Sequence, residues 1–224
     1  MTSLPRRPRL LGRHALRSLW GSPVLGMPVV AHEVRTARLL LRPYRASDAA
    51  DWRRIEDDEE VRRGLDWPLR TARQAHDHLL ARTAHTELAG AGDLLVLAVE
   101  RHGRVIGDVS LHLRTVAPET RVAEMGWLQL TAEGGHGYAT EAARAMLDLA
   151  FGELRACLVT AVVDRSNVSS ARLALRLGFR LAGGTAQRIT FVLSEADYAA
   201  ERAAQPSRGA VETPPFGTKS VDNL

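Results

Sequence analysis

Apolar positions change period several times along the chain, and each change marks an element. Arg38-Leu39-Leu40-Leu41-Arg42-Pro43 is an apolar run stopped by proline, the form of a strand. Ser47 and Asp48 stand where helix caps stand, before a helix reaching about Asp58, and Thr71 caps a second helix carried through about Leu88. Residues 94–100 and 104–113 are β-rich runs joined at Arg101-His102-Gly103-Arg104, which predicts a hairpin, and residues 121–130 add a third strand. Ala139, Ala143, Met146, Leu147 and Ala150 then recur at helical spacing, with Glu141, Arg144 and Asp148 on the other side.

Ala156 to Val163 is apolar throughout, the pattern of a strand covered on both faces. Asn167 caps a helix through Leu177, Gly178 fits the left-handed position that closes it, and Phe179 is expected to pack back on it. A last strand, Arg188 to Leu193, precedes a short helix around 194–204. The order β-α-α-β-β-β-α-β-α-β-β predicts an α/β fold, with a mixed, mostly antiparallel sheet and one β-α-β crossover at its centre.

Composition sets the bounds of this domain. The chain of 224 residues carries a net charge of +4, and residues 1–32 hold Arg6, Arg7, Arg9, Arg13 and Arg17 without one acid. The basic character therefore belongs to an arm over residues 1–33, and the domain, residues 34–204, has no charge pattern of a nucleic-acid-binding fold. Pro, Gly, Ser and Thr dominate residues 205–224, the composition of a disordered tail. No apolar stretch reaches the roughly 18 residues of a membrane span, the two prolines of residues 23–30 argue against a signal peptide, and a single cysteine, Cys157, leaves no internal disulfide and no cysteine-based metal cluster. A cytoplasmic protein is expected. Met27, just before the first well-patterned strand, is a candidate start.

Gly134-Gly135-His136-Gly137-Tyr138-Ala139-Thr140-Glu141-Ala142 places glycines after a strand and at the mouth of a helix. Glycine lets the backbone turn without a Cβ clash, so successive N–H groups converge on one anion while the helix adds its positive end. A dinucleotide fingerprint needs a third glycine where Thr140 stands, and the chain's one lysine, Lys219, is far from any phosphate loop. A different phosphorylated cofactor is implied.

Four segments in order resemble the GNAT superfamily of acyl-CoA N-acyltransferases, in the branch of ribosomal-protein N-terminal acetyltransferases: Thr36 to Pro43, Ala123-Glu124-Met125-Gly126-Trp127, Gly135 to Ala142, and Asn167-Val168-Ser169-Ser170-Ala171-Arg172 through Phe179. The resemblance covers about residues 34–200 and implies acetyl-CoA as co-substrate, no metal, and a primary amine as acceptor. It implies that the amides of Gly135, His136, Gly137, Tyr138, Ala139 and Thr140 hold the pyrophosphate, with Gly134 standing where the family has Gln or Arg. By the same resemblance the pantetheine arm lies along Trp127 to Leu130 and pairs with the backbone of Leu128 and Leu130, Asn167 approaches the cofactor, Glu124 acts as base, and Ser170 protonates the leaving thiolate. From the residues alone, Glu124 could instead pair with an arginine such as Arg121, and Asn167 could serve simply as a cap.

The acceptor is left open between a protein N-terminal α-amine and a small amine such as an aminoglycoside, amino acid or polyamine, and a CoA-binding module without turnover stays a rival. Nucleic-acid binding through the arm is disfavoured, and a homodimer is a candidate assembly. Glu56-Asp57-Asp58-Glu59-Glu60 reads as a solvated helix end or as an attractor of a cationic substrate. His76, His78 and His85 invite a metal reading, but 76 and 78 are two apart on a helix and point to different faces, so solvated helix histidines are expected.

Overall fold

The computed structural model describes residues 23–65 and 67–204. The expected C-terminal tail and residues 1–22 of the expected arm lie outside the described residues. The described residues open with strands β1 (Val24–Val30), β2 (Val34–Arg35) and β3 (Leu40–Arg42), followed by helices α1 (Ala49–Asp57), α2 (Glu59–Leu65) and α3 (Ala72–Thr83). A meander follows, β4 (Glu87–Gly90), β5 (Leu94–Arg101), β6 (Arg104–Leu113) and β7 (Val122–Gln129), then helix α4 (Tyr138–Asp148), which runs into a π-turn at Leu149–Glu153. Strand β8 (Leu158–Asp164), helix α5 (Val168–Arg176), strands β9 (Arg180–Gly184) and β10 (Arg188–Ser194) and helix α6 (Glu195–Ala204) complete it.

Eight strands form one sheet in the order β2-β3-β5-β6-β7-β8-β10-β9, and β1 pairs with β4 in a separate ribbon. Every neighbouring pair in the large sheet is antiparallel except β7 and β8, the two strands joined by the crossover through α4. Strand alternation divides the core in two. Leu95, Leu97 and Val99 of β5 face a cluster containing Ala142, Ala143, Met146 and Leu147 of α4, while Val96 and Ala98 face Trp52 and Ile55 of α1 and Leu79 of α3.

Several elements differ from the sequence reading, each for a non-local reason. Val24–Val30 falls within the expected arm but forms a strand on Glu87–Gly90, burying Leu25 and Val29 against Leu88. Met27 is exposed in the middle of that strand rather than ahead of the first one. The helix capped by Thr71 stops at Thr83, and Leu88 lies in β4 instead, because pairing with β1 captures the segment after the turn. Ser47 and Asp48 sit in or beside a short 3₁₀ turn, and the Asp48 carboxylate accepts from Arg42 and from the Arg45 amide instead of capping α1. Strand β8 is covered on one face only: Val159, Ala161 and Val163 are buried, while Val162 on the other face is 40% exposed.

The end of α5 follows the sequence closely. Gly178 has φ +89°, its amide donates to Leu175 O at 3.1 Å, and the Phe179 amide donates to Ala174 O at 3.1 Å, closing the helix with both bonds of a Schellman motif. Phe179 is 2% exposed and joins the core.

Candidate active site

Strands β7 and β8 pair only over Val122↔Leu158, Ala123↔Val159 and Glu124↔Thr160, and beyond Glu124 they part. A fork in a sheet leaves backbone donors and acceptors facing a gap, and buried polar groups of that kind require partners. Alternation along β7 decides which residues supply them. The Arg121 carbonyl accepts from Cys157 at the start of the β8 side, whereas the Val122 carbonyl accepts from Arg114 and the Leu130 amide donates to Ile106 O at 2.8 Å on the β6 side. Odd-numbered residues therefore face the gap past the fork, and Trp127 and Gln129 present their peptide groups to it. The expected backbone contacts of Leu128 and Leu130 are thus corrected: the Leu130 amide is already bonded to β6, and Leu128, two residues earlier, points the same way.

The glycine loop closes the end of the gap. Gly135 has φ +78° and Gly137 φ +79°, conformations that cost an L-residue about 1–2 kcal/mol. Gly137 is the N-cap of α4, so the amides that follow it open the helix. A Cβ on Gly135 would meet nothing within 4 Å, so the backbone there is open to a ligand. At Gly134 a Cβ would stand 3.0 Å from the Thr131 carbonyl, a crowded position that fits the absence of the Gln or Arg found in the family pattern.

Of the other expected site residues, Glu124, Trp127, Ser170 and Asn167 are linked at the fork by strand position or hydrogen bonds. Asn167 caps α5 by accepting from the Ser170 amide at 3.0 Å, and the Trp127 indole N–H donates to Ser170 Oγ at 3.2 Å, spanning from β7 to α5. Glu124, at the last paired position, accepts from Arg114 Nε at 3.2 Å and Nη2 at 2.8 Å. Its arginine partner is Arg114; Arg121 instead donates to the carbonyls of Val116 and Leu154. His136 stacks on Tyr138 with ring centroids 5.4 Å apart, and Thr140 Oγ1 lies 3.3 Å from Arg176 Nη1.

Residues without an expected role hold the site from two sides. Behind the loop, Thr36 and Arg38 bind Glu141, and Arg38 Nη1 also donates to the His136 carbonyl at 3.0 Å. Burial raises the Glu141 carboxyl, but the hydrogen bonds from Thr36 and Arg38 outweigh it and hold the group below its usual range. On the other side, Asp58 accepts from the Thr131 amide and hydroxyl, both at 2.8 Å, tying the α1–α2 junction to the segment leaving β7. Burial again acts upward on Asp58 and is overcome by the Thr131, Val61 and Glu60 donors, so this carboxyl also sits low.

The acidic run is consumed internally. Glu56 is buried against Arg70 and His78, Asp57 pairs with Arg53, and Glu59 and Glu60 pair with Arg63. None of these carboxylates is left as a bare attractor for a cationic substrate. His78, 2.6 Å from Glu56, packs edge-on against Trp52 and Trp67.

The profile of the acetyltransferase (GNAT) domain matches residues 38–180. The chain belongs to the GNAT acetyltransferase family. Its fold superposes on a GNAT-family acetyltransferase from Bacillus anthracis with a TM-score of 0.63 and 19% identity, covering 74% of this chain and 99% of that one. It superposes on RimL, the ribosomal L7/L12 alpha-N-protein acetyltransferase in complex with coenzyme A, with a TM-score of 0.59 and 13% identity over 73% of this chain and 98% of that one. An uncharacterized protein of Bacillus subtilis strain 168, YkkB, is 34% identical over 79 residues, 35% of this chain and 45% of that relative. The chain thus spans under half the length of that curated relative. Enzymes of the GNAT family transfer acetyl groups from acetyl-CoA.

Proposed function

We infer that this GNAT acetyltransferase transfers acetyl from acetyl-CoA to a primary amine, and that the amine is the N-terminal α-amine of a protein. The observation that carries the reading is the fork after Glu124 and Thr160, ended by the glycine loop at the mouth of α4. A pyrophosphate fits the amides that open α4, and an extended pantetheine arm fits the peptide edges of Trp127 and Gln129. Acetyl-CoA supplies an activated thioester.

The chain's own groups supply orientation and proton transfer. An alkyl or α-amine is largely protonated at neutral pH and must lose a proton before it attacks. Glu124, beside the fork on the face not covered by α4, is the base within reach, directly or through a water. Ser170 accepts from Trp127, which leaves its own O–H to donate toward the departing sulfur. Amides on the gap side of β7 are donors for the charge that develops on the thioester oxygen.

A protein acceptor is supported by the uncovered face of β8 and β10, where Val162 is exposed and Thr190 and Val192 are half-buried, room for a polypeptide end to lie across the sheet. Among the described residues no helix is long and apolar enough to cross a membrane, and together with the lone cysteine this supports work in the cytoplasm. The test is thiol release from acetyl-CoA across a panel of peptides with free or blocked α-amines, internal lysines, aminoglycosides and polyamines. Turnover confined to free α-amines supports the reading. Turnover confined to small amines overturns the acceptor, and acetyl-CoA binding with no turnover on any amine overturns the reaction.

A further inference from the structure

The segment Thr36-Ala37-Arg38 has a placement that the sheet alone does not demand. It forms the turn between β2 and β3, yet its side chains reach about a hundred residues along the chain to the glycine loop and the first turn of α4. Thr36 Oγ1 donates to Glu141 Oε1 at 2.6 Å, and the Arg38 amide donates to the same oxygen at 2.8 Å. Arg38 Nε and Nη2 both reach Glu141 Oε2 at 2.7 Å, while Nη1 takes the His136 carbonyl at 3.0 Å. The guanidinium also lies 4.6 Å from the centre of the Tyr138 ring. One arginine thus joins the loop, the helix and the hairpin.

Two consequences follow from elementary chemistry. A trans peptide sets C=O and the next N–H in opposite directions, so holding the His136 carbonyl toward Arg38 turns the Gly137 amide away from the hairpin. Without that restraint, glycines flanking His136 would sample many backbone states, and ordering them on the cofactor would cost conformational entropy. The second consequence is electrostatic. A carboxylate in the first turn of a helix competes with any anion bound there, and Arg38 cancels the charge of Glu141 at short range.

We propose that Thr36, Arg38 and Glu141 form a positioning clamp that aims the Gly137 amide at the pyrophosphate of the acyl-CoA and removes the repulsion between that pyrophosphate and Glu141. The clamp rests on the acetyl-CoA reading above, and it acts through the loop without touching the reacting atoms. Its signature is therefore selective: it matters for donors that carry a pyrophosphate and much less for donors that lack one.

The experiment compares acetyl-CoA with S-acetylpantetheine, which carries the same thioester without the pyrophosphate, and measures CoA affinity by calorimetry on the full chain. Arg38→Ala is expected to weaken CoA binding at least ten-fold, and to lose at least ten-fold more kcat/KM with acetyl-CoA than with S-acetylpantetheine. Adding Glu141→Gln to Arg38→Ala is expected to recover about three-fold or more of the CoA affinity, because the uncancelled charge is gone. Arg38→Lys, which keeps the charge but cannot serve Glu141 and the His136 carbonyl together, is expected to fall between wild type and Arg38→Ala, and it carries the test if Arg38→Ala does not fold. Equal losses with both donors, unchanged CoA affinity, or a double variant weaker than Arg38→Ala would each overturn the clamp. Wild-type protein that binds no CoA would overturn the acetyl-CoA reading and the clamp together, whereas normal wild-type binding with an unaffected Arg38→Ala variant overturns the clamp alone.

Discussion

The Trp127 indole N–H donates to Ser170 Oγ at 3.2 Å, and this bond joins the strand at the fork to the first turn of the helix beside it. A serine oxygen that accepts from an indole keeps one O–H to give, so the bond sets the direction in which Ser170 donates. Ser170→Ala is expected to lower kcat about ten-fold, less than the 10²–10⁴ usual for a general acid, because a thiolate leaves without much help. Trp127→Phe keeps an aromatic ring, though a smaller one, and loses the bond, and steady-state kinetics should show a smaller kcat loss in the same direction. A Ser170→Ala enzyme with wild-type kcat would remove the hydroxyl from the mechanism.

Glu124 meets the fork while held by Arg114, so the proposed base role can be separated from the ion pair. As the base, its replacement by Gln should cost about 10² or more in kcat with the fold intact. Arg114→Gln then frees the carboxylate and should leave most of the activity. If the ion pair is the whole function, both substitutions cost little, since exposed pairs contribute about 0–1 kcal/mol. Parallel kcat and thermal-melting measurements on the two variants distinguish these outcomes.

What the sequence revealed and what it hid follow one physical division. The Gly178–Phe179 closure, the Asn167 cap and the loop glycines are set by residues within a few positions of one another, so their chemistry shows in the one-dimensional pattern. The pairing of β1 with β4, the bare face of β8 and the taking-up of Asp48 by Arg42 depend on partners brought in by the fold. At the site, the loop and Glu124 were legible by residue type and order, while which β7 amides face the gap depended on the register with β6. Thr36 to Pro43 stood out as a segment, but no spacing rule links Arg38 to a carboxylate 103 residues away.

The loop itself gives a direct prediction. Gly137 needs φ +79°, and a Cβ there would lie 3.6 Å from Arg38 Nη2. Gly137→Asp adds both backbone strain of about 1–2 kcal/mol and a negative charge where the pyrophosphate is expected. CoA binding followed by calorimetry should be lost, and retained affinity would refute the loop assignment.

Glu141 also predicts how stability follows pH. Its carboxyl lies below the ordinary value of 4.5 when folded, so the unfolded chain takes up the proton first as pH falls. The stabilisation is therefore fully present above about pH 4.5 and is lost as pH drops through the lower folded value. Melting temperature against pH should fall more steeply below that point in wild type than in Glu141→Gln, and identical slopes would show that Glu141 is not a source of the acid sensitivity.

Asp108 carries the opposite sign and a larger structural risk. It is 3% exposed on β6, accepts from Arg82 at 2.7 Å and from the Tyr44 hydroxyl at 3.0 Å, and burial pushes its carboxyl up against the pull of those two donors. Arg82 in turn lies over the Trp52 ring at 4.6 Å, and its Nε has no hydrogen-bond partner among the described residues, so Asp108 is the anion that keeps this guanidinium tolerable in the second core. Asp108→Ala would strand the charge and is expected to cost about 3–5 kcal/mol in urea unfolding. The pair Asp108→Ala with Arg82→Met removes both charges and should recover most of that loss, because a buried ion pair is replaced by apolar contact rather than broken. If the double variant is no more stable than Asp108→Ala, the aromatic contacts of Arg82, and not its ion pair, hold this side of the sheet together.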